Sequence, residues 1–192
     1  MLEREKTQIV MGIDPGFAKL GVVVLEKSAS AKKPRVALAS CIQTEKTPKK
    51  LMTNLRATTD DQRRYKEIWK ALDVIKEKYS PYAVGVEAYT VFQARGGNAW
   101  KTGVVFGGII FWAYCSGLFV APFLPMDLKK RFCNKKSASK EAVEKSLYKL
   151  VDGLEEAVNK IPKTKREHVA DAAGHALLVM EEVEEHRKML GI

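Results

Sequence analysis

Gln8-Ile-Val-Met-Gly-Ile-Asp14, followed by the Pro15-Gly16 turn and the apolar run Leu20 to Leu25, is the stretch on which the fold turns. Apolar and β-branched residues dominate the first run, an acid ends it, and Pro-Gly is a strong turn signal, so the whole reads as a β-hairpin. Ser28 to Pro34 is small, basic and turn-prone, and Arg35 to Gln43 then alternates enough to form a third strand. Three antiparallel strands are therefore expected to open the chain.

Beyond the third strand, Thr44 to Thr58 carries lysines with little periodicity and reads as an exposed basic connection. Thr59-Asp60-Asp61 resembles a helix cap, and Tyr65, Ile68, Trp69, Leu72, Ile75 and Tyr79 recur as one apolar stripe behind it. Arg63, Arg64, Lys66 and Lys70 fill the other face, where a solvated surface is the plain expectation and a DNA contact the alternative. Pro81 restarts the chain into Ala83-Val-Gly-Val-Glu87, a buried strand that again ends in a carboxylate. Gly103 to Met126 lacks charge and is long enough to span a bilayer, but Gly117, Pro122 and Pro125 interrupt it. It parses instead as a buried helix to about Ser116 and a buried strand, Leu118 to Leu124. Helices are predicted over Met126 to Asn134, from a Ser139 cap to about Asp152, and from Lys165 to Arg187. The order β-β-β-α-β-α-β-α-α-α predicts an α/β fold with a mixed five-stranded central sheet flanked by helices. One domain is expected over residues 1–192, with its core at about 8–187.

The 192 residues include 33 Lys and Arg against 23 Asp and Glu, a formal charge of +10, so a polyanion is the first partner to consider. Cys41, Cys115 and Cys133 are odd in number, dispersed and never in a CxxC pair, which argues against a disulfide framework and a cysteine zinc site. That cysteine pattern predicts a reducing compartment, and Leu2 to Lys6 alternates charges where a secretory peptide would be apolar, so the expected location is the cytoplasm or another reducing, DNA-containing compartment, without secretion.

Functional groups in open α/β sheets gather beyond the carboxyl ends of strands, where Asp14 and Glu87 both fall. His168 and Asp171 share one face of the last helix and can meet them there. Crowded carboxylates repel unless a cation lies between them, so a divalent metal is the natural resident. Oxygen-rich ligation favours Mg2+, with Mn2+ able to substitute beside the imidazole, and a pair of ions about 4 Å apart would support phosphodiester hydrolysis. Each residue has a plainer reading: Asp14 as a turn former, Glu87 in a salt bridge, His168 and Asp171 as helix-surface groups. His175, one turn further along, is a candidate for orienting Asp171.

Gly12-Ile-Asp14-Pro-Gly16 with Gly21, the Val86-Glu87 strand end, and His168-Val-Ala-Asp171-Ala-Ala together resemble the RuvC family of Holliday junction resolvases. Pro125-Met-Asp-Leu-Lys129-Lys130 and Ser139-Lys140-Glu141-Ala-Val143 are similar to that family's basic segment. The resemblance runs from about Val10 to Met180. It implies a ribonuclease-H-like fold, a homodimer, Mg2+-dependent nicking of opposed strands in a four-way junction, and catalytic, metal-binding roles for Asp14, Glu87, His168 and Asp171. Many relatives carry Asp where this chain has His168, which leaves the metal preference open.

The family also places an aromatic wedge after the strand-end glutamate; Tyr89 and Phe92 are both candidates, and Arg95 with Gly96 and Gly97 could follow a phosphate backbone. Lys129, Lys130, Lys136 and Lys140 are the expected DNA-binding lysines within a wider basic cluster that reaches Arg166. Gly103 and Gly107 lie four apart, a smooth stripe for a partner helix or for packing on the sheet. A nuclease of relaxed specificity for forks, flaps or displaced loops, and a non-catalytic junction-binding module, are the rival functions. A sugar-kinase-like ATPase is set aside, since the chain is short for two lobes and has no second nucleotide loop.

Overall fold

The computed structural model describes residues 7–51, 57–89 and 99–190. Strands β1 (Gln8–Asp14), β2 (Lys19–Lys27) and β3 (Arg35–Gln43) form the predicted antiparallel meander, and short connections permit nothing else. Helix α1 (Ala57–Tyr79) then carries the chain past β1 to β4 (Ala83–Glu87), and α2 (Ala99–Cys115) returns it to β5 (Phe119–Phe123). Both strands are laid down parallel, giving the order β3-β2-β1-β4-β5. The mixed five-stranded sheet flanked by helices is as expected. Helices α3 (Pro125–Cys133), α4 (Lys140–Leu150), α5 (Leu154–Asn159) and α6 (Arg166–Leu190) complete the described chain.

Alternation along the strands divides the core in two. Val10, Val23 and Leu25 face α6, α4 and α5, while Met11, Ile13, Val22, Val24, Val84 and Val86 face α1 and α2. Removing such side chains from water supplies the main drive, about 1.5–3 kcal/mol for each large aliphatic group. Ser139 caps α4 as predicted, its hydroxyl accepting from Ala142 N at 3.2 Å.

Several expectations need correction. The segment Thr59–Asp61 lies inside α1 rather than before it, and the Asp60 carboxylate instead accepts from the backbone N–H and hydroxyl of Thr47. Arg64 is not solvated: it is buried, donates to Thr44 Oγ1 at 3.0 Å, and lies 3.8 Å over the Phe17 ring. These bonds fold part of the basic connection down onto the body; residues 52–56 lie outside the described residues. Helix α2 is buried along one side only, through Val105, Ile109 and Ala113. Strand β5 is not the buried strand that its apolar sequence predicts: it is a sheet edge, with Ala121 as its one buried residue. Helix α5 was not anticipated; at six residues it shows its pattern only as Leu154 and Val158. No described helix is long and apolar enough to cross a membrane.

Candidate active site

Strand register puts the two acids side by side. Gly12 pairs with Gly85 and Ile13 with Val86 across the parallel β1–β4 ladder, so Asp14 and Glu87 follow at the same level. With a side-chain period of two, each acid projects to the same face as the glycine two residues before it. That face is covered by α6, and the glycines let the helix approach to backbone contact. A Cβ at Gly12 would fall 1.9 Å from the Ala172 carbonyl oxygen, at Gly21 1.9 Å from that of His168, and at Gly85 2.1 Å from that of His175. The helix therefore crosses β2, β1 and β4 in turn, on a face lined by small alanines.

Gly21 is the register partner of Asp14, so the His168 turn settles beside that acid. His168 Nδ1 and Asp14 Oδ2 lie 2.6 Å apart. Burial pushes the Asp14 carboxyl above its ordinary value, more than the His168 hydrogen bond lowers it, and the Glu87 charge adds to the rise. That same hydrogen bond raises His168, against its partial burial. Both directions say that the pair holds a proton firmly. Asp171, one turn along α6, is pushed up to about 6 by burial and then by the Asp14 charge, with Lys140 opposing.

His175 is fully buried, and its Nε2 lies 3.7 Å from Glu87 Oε2. Its acidic neighbour at that range is thus Glu87, where Asp171 was expected. The four proposed ligand residues are brought to one sheet edge, but Asp14 is turned onto His168. Among the described residues no three acidic, histidine or cysteine side chains surround a common point at ion-binding distance. The donor set nonetheless suits a hard divalent cation: its carboxylates raise one another's proton affinity, which a cation between them would relieve.

Beside the acids lies a cavity of about 230 Å3 lined by Glu87, Asp171, Lys129, Lys140, Leu128 and Val143 among others. A second, of about 320 Å3, shares Lys140, Val143 and Asp171 and extends to Lys163, Arg166 and Glu167. Lys129 and Lys140 thus stand next to the acidic edge, as a phosphate-binding role requires. Partial burial works against the charge on Lys140, but the hydrogen bond to Glu167 and the Asp171, Glu167 and Glu87 fields outweigh it and raise its proton affinity. Glu167 was missed by sequence reasoning; its signal was an acid directly before His168.

Lys130 and Lys136 are exposed and do not line either cavity. Other members of the basic cluster serve the fold: Arg131 pairs with Glu181, and Arg166 donates to the carbonyls of Asn159 and Ile161. Tyr89 is half-buried with its ring against Gly103, 3.2 Å from where a Cβ would stand. Phe92, Arg95, Gly96 and Gly97 lie outside the described residues.

Known proteins match this chain in sequence and in fold. The family model for crossover junction endodeoxyribonuclease RuvC matches residues 10–178. The RuvC of Brevibacillus brevis is 32% identical over 168 residues, covering 88% of this chain and 89% of that one. The RuvC of Moorella thermoacetica is 30% identical over 169 residues, with 88% and 89% covered. Thermus thermophilus RuvC, solved in complex with Holliday junction substrate, superposes with a TM-score of 0.68 at 27% identity, covering 88% of this chain and 91% of that one. On this match, and on a ribonuclease-H-like sheet with its acids at neighbouring strand ends, the chain belongs to the RuvC family of crossover junction endodeoxyribonucleases.

Proposed function

We propose that this protein is a structure-specific endonuclease that resolves four-way (Holliday) DNA junctions by metal-dependent phosphodiester hydrolysis. The observation that carries the reading is the meeting of Asp14 and Glu87 with the His168–Asp171 face of α6, beside a cavity lined by Lys129 and Lys140. Asp14, Glu87, His168 and Asp171 would hold the metal. Mg2+, or Mn2+ in its place, as one of two ions, would supply an activated water and charge stabilisation for the leaving 3′ oxygen. Lys129 and Lys140 bind the scissile phosphate against the acids, which alone would repel it. Glu167 holds the Lys140 ammonium beside the cavity. His168 Nδ1 shares a proton with Asp14, and both side chains would be among the groups that hold the ion. Tyr89 remains a candidate for the junction wedge and Lys130 and Lys136 for contacts to the DNA backbone.

A homodimer supplies the second centre that paired nicks on opposed strands demand, since a four-way junction presents two equivalent positions about its two-fold axis. Helix α2 offers the surface: Trp100, Val104, Phe111 and Tyr114, 44–79% exposed, form one stripe that, with Gly107 counted, runs at alternating four- and three-residue spacing. Gly107 lies within that stripe with open space where a Cβ would stand, whereas at Gly108 the Trp69 ring fills it. Residues 1–192 act as one nuclease domain, in a reducing compartment that contains DNA.

The test is incubation of a labelled four-way junction and a matched linear duplex with Mg2+ or Mn2+, comparing wild type with Glu87→Gln. Wild type should nick the junction on opposed strands and spare the duplex, and the variant should bind without nicking. Binding without nicking by both proteins would leave a junction-binding module. Equal cleavage of forks and flaps would favour the relaxed nuclease.

A further inference from the structure

The imidazole of His175 is wholly buried, and neither ring nitrogen has a hydrogen-bond partner among the described residues. Buried polar atoms without partners are unfavourable, and an apolar side chain of similar volume would fill the space without that penalty. Three contacts define where the ring stands. Its backbone carbonyl rests on Gly85, two residues before Glu87 on the same strand face. Its ring stacks on Phe123, the register partner of Glu87 on β5, at 6.4 Å between centroids and 13° between planes. Its Nε2 then lies 3.7 Å from Glu87 Oε2, behind the carboxylate on its protein side.

We infer that His175 is a positioning residue for Glu87: Nε2–H donates to one carboxylate oxygen in the metal-loaded enzyme and leaves the other to face the ion. The inference rests on the reading of Glu87 as a metal ligand. At 3.7 Å the contact is longer than a hydrogen bond, and catalytic contacts of this kind tighten when a site is loaded. A carboxylate held in this way keeps one orientation, and loss of such a partner typically weakens metal binding about 10- to 100-fold. The ring does so without touching solvent, which distinguishes it from His168 at the open edge of the site.

Calorimetric titration of Mn2+ into wild type, His175→Leu and His175→Gln tests this, with thermal melts in chelator to establish folding. His175→Leu should melt at or above the wild-type temperature yet bind Mn2+ about 10- to 100-fold more weakly, and His175→Gln, which keeps an N–H donor, should recover most of the loss. In a Glu87→Gln background, His175→Leu should cause no further loss of affinity, since the residue acts through Glu87. Equal Mn2+ affinity of His175→Leu and wild type would overturn the inference while leaving Glu87 as a ligand. So would a full further loss in the Glu87→Gln background. Should His175→Leu fail to fold, weak binding by a folded His175→Gln would overturn it as well. Absence of Mn2+ binding by wild type would instead remove the metal reading, and this inference with it.

Discussion

Replacing Asp171 by asparagine should stabilise the metal-free protein at neutral pH while abolishing its nuclease activity. Burial, reinforced by the Asp14 charge, pushes the Asp171 carboxyl from its ordinary 3.8 to about 6. The folded chain then keeps a proton that the unfolded chain has released, so this stability is full below the ordinary value and is lost as pH rises through about 6. At about 1.4 kcal/mol per tenfold change in proton affinity, the loss at pH 7.5 is about 3 kcal/mol, and an amide escapes it. Asp14 is raised too, by burial and by the Glu87 charge, and it keeps that burden in the variant. Urea denaturation in chelator at pH 4 and pH 7.5 reads the difference directly. The two proteins should differ by under about 1 kcal/mol at pH 4, with the variant ahead by about 2–3 kcal/mol at pH 7.5. Added Mn2+ should raise the wild-type midpoint and barely move that of Asp171→Asn. A variant no more stable than wild type at pH 7.5, or one offset equally at both pH values, would refute the electrostatic account of the site.

Gly21→Ala drives a methyl to 1.9 Å from the His168 carbonyl oxygen, where helix backbone cannot yield locally. A cost of about 3 kcal/mol, at 2–4 °C for each, corresponds to a melting temperature roughly 6–12 °C lower by calorimetry. A fall under about 2 °C would show that α6 does not sit on the sheet so closely. Phe111→Glu places a charge at the centre of the α2 stripe and should leave the circular dichroism spectrum intact while turning a dimer into a monomer by light scattering. A wild type that is already monomeric at micromolar concentration would end the homodimer proposal.

The local signals in the sequence carried the fold and half of the site. Strand ends are visible because β1 and β4 are buried on both faces and stop abruptly at an acid, so Asp14 and Glu87 stood out without any tertiary information. His168 and Asp171 were legible as a helical pair, though nothing local says that His168 would meet Asp14 directly. What failed was everything that depends on which side of an element is covered. Helix α2 is apolar almost all round, a pattern that ordinarily means burial, and here one side faces outward with Phe111 and Tyr114 exposed. Arg64 reads as a surface charge by periodicity and is buried because Thr44 and Phe17, distant in sequence, provide its partners. The helical spacing of His175 points to Asp171, whose carboxyl does feel the imidazole, while the crossing of α6 over β4 brings the ring nearest to Glu87, which no local signal foretells.

The spacing Gly-x-acid, present at Gly12 with Asp14 and again at Gly85 with Glu87, links the fold to its chemistry. In a strand it puts a missing side chain and a carboxylate on one face, roughly 6–7 Å apart along the chain. The gap admits helix backbone; the acid then emerges just past the helix, where groups on that helix can reach it. Gly21 extends the groove to β2 and admits His168 by the same means. A single rigid contact therefore sets His168, Asp171 and His175 against Asp14 and Glu87 together. Widening the gap at any one glycine should displace all three helix residues at once, so the geometry of the site depends on the distance between α6 and the sheet more than on any rotamer within it.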